Sequence, residues 1–142
     1  MASSYGKEHY WSYSQIERTK FERWMDWELS ELQPWFIELF WSYYRTPDNE
    51  RGEEKINSAM KHCKRYVQIL DAHLAKNEFV SGPKFGLGDI CVGACFYRYF
   101  NMGLEVERPT RVMEWYEWLS KRTTYQKVIQ VPFGELKGRL TF

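Results

Sequence analysis

No apolar run in the chain is long enough to cross a bilayer, and no stretch alternates polar and apolar residues as a half-buried strand does. Net charge is almost lacking: 20 Lys and Arg stand against 19 Asp and Glu, leaving +1 over 142 residues. These charges are scattered and mixed in sign, as on solvated helix faces. Neither nucleic acid nor an anionic membrane is therefore expected as a partner. Cysteine is scarce. Cys63, Cys91 and Cys95 are odd in number and lie in apolar settings, which argues against a disulfide framework and for buried, reduced thiols in a cytoplasmic protein. Cys91 and Cys95 are one helical turn apart, two ligands short of a metal site, and His62 and His73 share no helix face, so no metal is expected. The opening MASSYGKEHY has no apolar h-region, and no signal peptide is expected. Repeats, low-complexity tracts, Gly-rich phosphate loops and nucleophile elbows are absent.

Aromatic residues, in contrast, make up 18% of the chain, with seven Trp and ten Tyr. One domain is the default for this length, and such a chain fills a sizeable core. The most informative segment is Phe79 to Phe100, FVSGPKFGLGDICVGACFYRYF. A loop with Gly82, Pro83 and Gly86 runs into a stretch that is apolar on nearly every side, which predicts a helix buried on every side. Gly86 to Asp89 forms half of a capping box, with Asp89 accepting from the N-cap backbone and Gly86 in place of the usual hydroxyl. Phe85 and Ile90 are placed to form a hydrophobic staple. Arg98 lies within this helix and is expected to pair with a Glu from a neighbouring helix or to meet an anion.

Met1 to Tyr13 shows no periodicity and is expected to be a leader or the remnant of an upstream domain. Ser14 is an N-cap for a helix from about Gln15 to Tyr44. Phe21, Trp24, Met25, Leu32, Phe36, Leu39, Phe40 and Tyr43 mark one face, and Trp27, Trp35 and Trp41 a second. Pro34 should bend this rod of roughly 45 Å. A turn at Thr46 to Asn49 leads to a helix from about Glu50 to Ala75. Its seam (Ile56, Met60, Cys63, Val67, Leu70, Leu74) suits near-antiparallel packing on the rod. After the buried helix, Gly103 is a C-cap signal. Pro109 then opens a helix with Val112, Met113, Tyr116 and Leu119 on its apolar face. Thr123 or Thr124 caps a short helix that Pro132 stops. The domain is thus expected over 14–132, with 133–142 a tail. The predicted architecture is all-α, five or so helices around a buried central helix.

Three segments resemble the C-terminal helical domain of the glutathione transferase family. The Val80-Ser81-Gly82 loop with Phe85, Asp89 and Ile90 resembles the start of that domain's buried sixth helix. Trp24 to Trp41, closing on Tyr44-Arg45-Thr46-Pro47, resembles the fourth helix of bacterial members. Leu70-Asp71-x-His73-Leu74 resembles the end of the fifth. Tyr5-Gly6 looks like the end of the family's N-terminal thioredoxin-like domain, which is itself missing, so the chain is expected to be a natural or engineered truncation.

The resemblance implies that the parent protein adds glutathione, as co-substrate, to small electrophiles, and that this chain is the substrate-pocket half of a homodimeric enzyme. It implies no catalytic residue here, since the missing half supplies the group that activates the thiol. It places Gln33 and Pro34 near the glutathione thiol, although members with a polar side chain at the second position differ from Pro34. It places Asp26 and Glu31 toward the ligand's ammonium group across the dimer, and Phe36, Phe40 and Tyr97 around the electrophile. Taken as residues alone, those three aromatics read as core before pocket, and the two acids equally as solvated charges. Domains of this fold also act as non-catalytic protein–protein interaction modules, which is the alternative function. Binding of a bulky apolar ligand at the exposed aromatic face is a third.

Overall fold

A computed structural model of the chain describes Tyr10 and residues 14–141. The leader with Tyr5-Gly6 thus lies, apart from Tyr10, outside the described residues. Ser14 caps the first helix as expected, its hydroxyl accepting from the Glu17 N–H at 3.4 Å. The rod runs in one helical path to Arg45 but changes pitch three times. Helix α1 (Gln15–Trp27) widens into π turns at Glu28–Leu32, tightens into α2 (Gln33–Leu39), and widens again at Phe40–Arg45. Pro34 explains the first widening. It has no N–H to give, and its ring crowds the carbonyl four residues back at Ser30, inside the widened turn.

A 3-10 turn at Asp48–Glu50 leads to α3 (Glu53–Leu74), three residues later than the sequence predicts. Its seam holds: Ile56, Cys63, Val67, Leu70 and Leu74 are buried, joined by Ala59 and Tyr66, while Met60 is half-buried. This face packs chiefly on α2. Helix α4 (Leu87–Asn101) then enters the core, followed by α5 (Thr110–Ser120) and α6 (Thr123–Val128). Pro109 serves as the N-cap of α5 rather than its first residue. Among the described residues there is no strand, only one isolated bridge between Phe79 and Gly82. None of their helices is long and apolar enough to cross a membrane.

The cap of α4 is stronger than the sequence shows. Asp89 is fully buried. One carboxylate oxygen accepts from the Val80 N–H at 2.8 Å and the Trp115 indole N–H at 2.9 Å. The other accepts from Ser81 N–H at 3.2 Å and Gly86 N–H at 2.9 Å. Phe85 and Ile90 line one groove. Phe85 turns to Phe79, Trp118 and the Arg122 guanidinium, and Ile90 is left 44% exposed. Helix α4 is not buried all round. Val92, Gly93, Cys95, Phe96, Tyr99 and Phe100 face the core, while Cys91, Ala94, Tyr97 and Arg98 are half-buried beside Ile90. An apolar strip of the central helix thus lies open.

The tail is not loose. Phe133 is buried, a 3-10 turn follows at Gly134–Leu136, and the chain doubles back over the end of the rod.

Candidate functional site

The end of the rod and the open side of α4 meet in an aromatic cluster. Phe40 stacks on Phe36 with centroids 6.1 Å apart and on Tyr44 at 5.3 Å. Phe133 from the tail closes the group, 6.1 Å from Phe40, 5.0 Å from Tyr44 and edge-on to Tyr97 at 5.7 Å. The Arg98 guanidinium lies 5.9 Å from the same ring. Among the described residues Arg98 makes no ion pair, so the expected Glu partner is replaced by an aromatic face. Burial, followed by the charge of Glu135 and then Tyr97, raises the Tyr44 phenol above its ordinary range.

The structure therefore brings Phe40 and Tyr97 together through Phe133. Phe36 points deeper, lining with Leu32, Val67, Cys95, Phe96 and Tyr99 a void of about 10 Å³, room for at most one water. Gln33 is half-buried and Asp26 exposed. Glu31 is exposed yet accepts from the Tyr66 hydroxyl at 2.6 Å, and that bond is the chief reason the Tyr66 phenol is raised. Pro34 lies elsewhere, in an open groove of about 340 Å³ with Trp35, Glu38, Lys55 and Ser58. There Trp35 stacks flat on His62 at 3.7 Å.

Three features escaped the sequence. Glu28 is buried, and the Cys95 thiol donates to it at 3.2 Å. Burial raises its carboxyl above the usual range, against a smaller lowering from that thiol. Arg45 is 1% exposed. It lies over Trp41 at 4.4 Å and donates to the tail carbonyls of Arg139 and Thr141. Phe133 has only one signal, a lone aromatic after Pro132 in a segment without periodicity. The thiols are suited to packing, not attack. Burial pushes Cys63 up to about 12 and Cys95 higher still, and it also raises Cys91. Among the described residues no cluster of three metal-ligating side chains occurs.

A second groove, of about 390 Å³, opens beside the uncovered strip of α4. It is lined by Phe85, Ile90, Arg122, Tyr125, Val128 and Ile129, with Tyr10 seated at Phe85 at 6.0 Å.

Residues 34–117 match the family model described as "Glutathione S-transferase, C-terminal domain". The glutathione S-transferase GstB of Escherichia coli K12 is 34% identical over 132 residues, 93% of this chain and 64% of GstB. The chain thus spans under two thirds of the length of that relative. The theta class glutathione S-transferase of Xanthomonas axonopodis pv. citri superposes with a TM-score of 0.88 at 33% identity, covering 92% of this chain and 68% of the transferase. Its glutathione-bound form superposes with a TM-score of 0.87. The match in sequence and in three dimensions covers more than nine-tenths of the chain, and the chain belongs to the glutathione S-transferase family, as its C-terminal helical domain.

Proposed function

We propose that this chain is the substrate-pocket and dimer-forming part of a cytoplasmic enzyme that joins glutathione to small electrophiles, completed by an N-terminal thioredoxin-like domain. One observation carries the proposal: the central helix of the fold leaves an apolar strip open. Ile90, Val128 at the end of α6 and Val131 beyond it are exposed at 44%, 64% and 48%, where a finished core would cover them. Tyr10, upstream of α1, lines the groove beside this strip. The relatives are longer by about the size of one such domain.

The division of labour follows from the chemistry of the side chains. Conjugation needs a lowered thiol pKa and an apolar place for the electrophile. The cysteines, buried or half-buried and all raised, supply neither a nucleophile nor its activator, so activation falls to the other domain. Phe40 and Tyr97, backed by Phe36, form the apolar wall. Gln33 and Pro34 lie toward the thiol, and Asp26 and Glu31 toward the ammonium group of a glutathione held mainly by the other domain. Glu31 meets the ligand while accepting from Tyr66, since a carboxylate takes several donors. A two-fold dimer forms through the rod and α3.

The test is a calorimetric titration with glutathione of this chain beside the same chain extended by the sequence encoded upstream of it. The extended protein should bind glutathione, conjugate it to an aryl halide and sediment as a dimer, and the short chain should not bind. A well-folded extended protein that neither binds nor uses glutathione would sink the proposal in favour of a non-catalytic interaction module.

A further inference from the structure

A third pocket, of about 290 Å³, lies between the end of α3, the loop that follows it and α5. It shares no lining residue with the groove beside α4. Buried Phe79 and Trp115 and the partly exposed Trp118 form its walls, and the exposed Glu78 and Glu114 stand at its rim. Phe79 and Trp118 meet edge-on, their centroids 4.9 Å apart. These walls are set before any ligand arrives. One oxygen of buried Asp89 accepts from the Trp115 indole at 2.9 Å and from the N–H of Val80, next in the chain to Phe79, at 2.8 Å. The loop and α5 are thus pinned to a single atom. The cation that lines the pocket is already neutralised: the Arg111 guanidinium donates to Asp71 at 3.0 Å, and its backbone N–H to the same carboxylate at 3.2 Å. Glu78 and Glu114 have no ion-pair partner among the described residues. The pocket therefore carries two uncompensated negative charges beside aromatic rings.

We propose that this pocket binds a small organic cation, an ammonium group carried on an apolar body. The lining selects both charge and shape. An anion is repelled by the two carboxylates, and a neutral ring gains only the walls. An organic ammonium gains from Glu78 and Glu114 and from the face of Trp118, since indole is the best aromatic partner for a cation. Trp118 already attracts one such charge: the Arg122 guanidinium, which lines the neighbouring groove, lies 4.9 Å from its ring. The apolar body is received by Phe79 and Leu74, both buried. A site pinned in advance loses little freedom when it binds. The site needs neither the upstream domain nor the electrophile pocket, so it stands apart from the glutathione reading.

The test is an NMR titration of the full 142-residue chain with phenethylammonium, beside hydrocinnamate, which keeps the ring and the two-carbon chain and reverses the charge. Phenethylammonium should bind with a Kd on the order of 1 mM, and hydrocinnamate at least about tenfold more weakly. The amides that shift should be those of Glu78, Phe79, Glu114 and Trp118. Glu78→Gln combined with Glu114→Gln changes two exposed side chains and should weaken the cation about tenfold, at roughly threefold for each exposed charge. Trp118→Leu should weaken it about fivefold. Equal binding of cation and anion overturns the proposal. So does wild-type affinity in the double Gln variant, a comparison that stands even if Trp118→Leu fails to fold. Shifts confined to Ile90 and Val128 also overturn it, because the ligand then sits in the neighbouring groove. Absence of any shift at about ten times the expected Kd does the same.

Discussion

Asp89 should be the most costly polar side chain in the chain to replace. Its two oxygens receive four donors, of which Val80 N–H, Gly86 N–H and the Trp115 indole are buried. Asp89→Ala leaves these three donors without partners, at about 1–3 kcal/mol each. Removing a buried carboxylate returns part of that cost, because its own desolvation ends. The net expectation is a loss of about 3–5 kcal/mol, a large share of the roughly 5–15 kcal/mol that holds a domain folded. With a guanidinium slope of about 3 kcal/mol per molar, the midpoint should fall by about 1–1.7 M.

Asn at the same place separates charge and geometry from size. One oxygen serves Val80 and Trp115, the other Ser81 and Gly86. An amide satisfies one pair and presents its own N–H groups to the other, in either orientation. Asp89→Asn should therefore cost nearly as much as Asp89→Ala. Trp115→Phe, which removes one donor and leaves three, should cost about 1–2 kcal/mol. Amide exchange at Val80, Ser81 and Gly86 should accelerate in Asp89→Asn and stay protected in Trp115→Phe. An Asp89→Asn protein with the wild-type midpoint refutes the reasoning, as does a Trp115→Phe protein destabilised to the same extent as Asp89→Asn.

Gly93→Ala should destabilise by about 1–2 kcal/mol in denaturant titration. Ala favours a helix by at most about 1 kcal/mol, but its Cβ would lie 2.7 Å from a methyl of the buried Leu119, and such overpacking costs about 1–3 kcal/mol; unchanged stability would mean that Leu119 has room to move. Glu28→Gln should raise Tm at pH 7 and leave it unchanged near pH 4. The raised carboxyl of Glu28 binds its proton more tightly folded than unfolded, so wild-type stability is full below the ordinary carboxylate pKa and falls as pH rises toward the folded value. A Tm difference that is equal at both pH values refutes that account.

What was legible in the sequence was periodic. The α3 seam from Ile56 to Leu74 and the apolar run of α4 each fix which side of their own helix turns inward. The Gly86-to-Asp89 spacing fixes a bond within one turn. The same patterns are silent about partners from elsewhere. Trp115, 26 residues from Asp89, was missing from the predicted apolar face of its helix, because spacing does not say where an indole N–H finds its acceptor. The π turns were hidden because Pro34 requires an adjustment without dictating its form. The exposure of Ile90 ran against its hydrophobicity, because periodicity does not say which apolar side of a helix finds a neighbour.

Among the described residues three charged side chains are buried, and they show where periodicity stops and what replaces it. Asp89 fastens the loop from Val80 to Gly86, and Arg45 fastens the tail around Arg139 and Thr141. Neither segment has a repeating apolar face, so neither can be fixed by burying one. Their backbone groups still need partners once they lie against the core, and a buried ion offers several bonds from one side chain. Each charge is thus compensated by the segment it organises. Glu28 does not fit this rule. It fastens no loop, and its hydrogen-bond donor is a thiol, the weakest donor of the three sets. Packing alone therefore gives no reason for a carboxyl at that position. It is the one buried charge whose removal should leave the fold intact, so Glu28→Gln should retain the wild-type near-UV spectrum where Asp89→Asn does not.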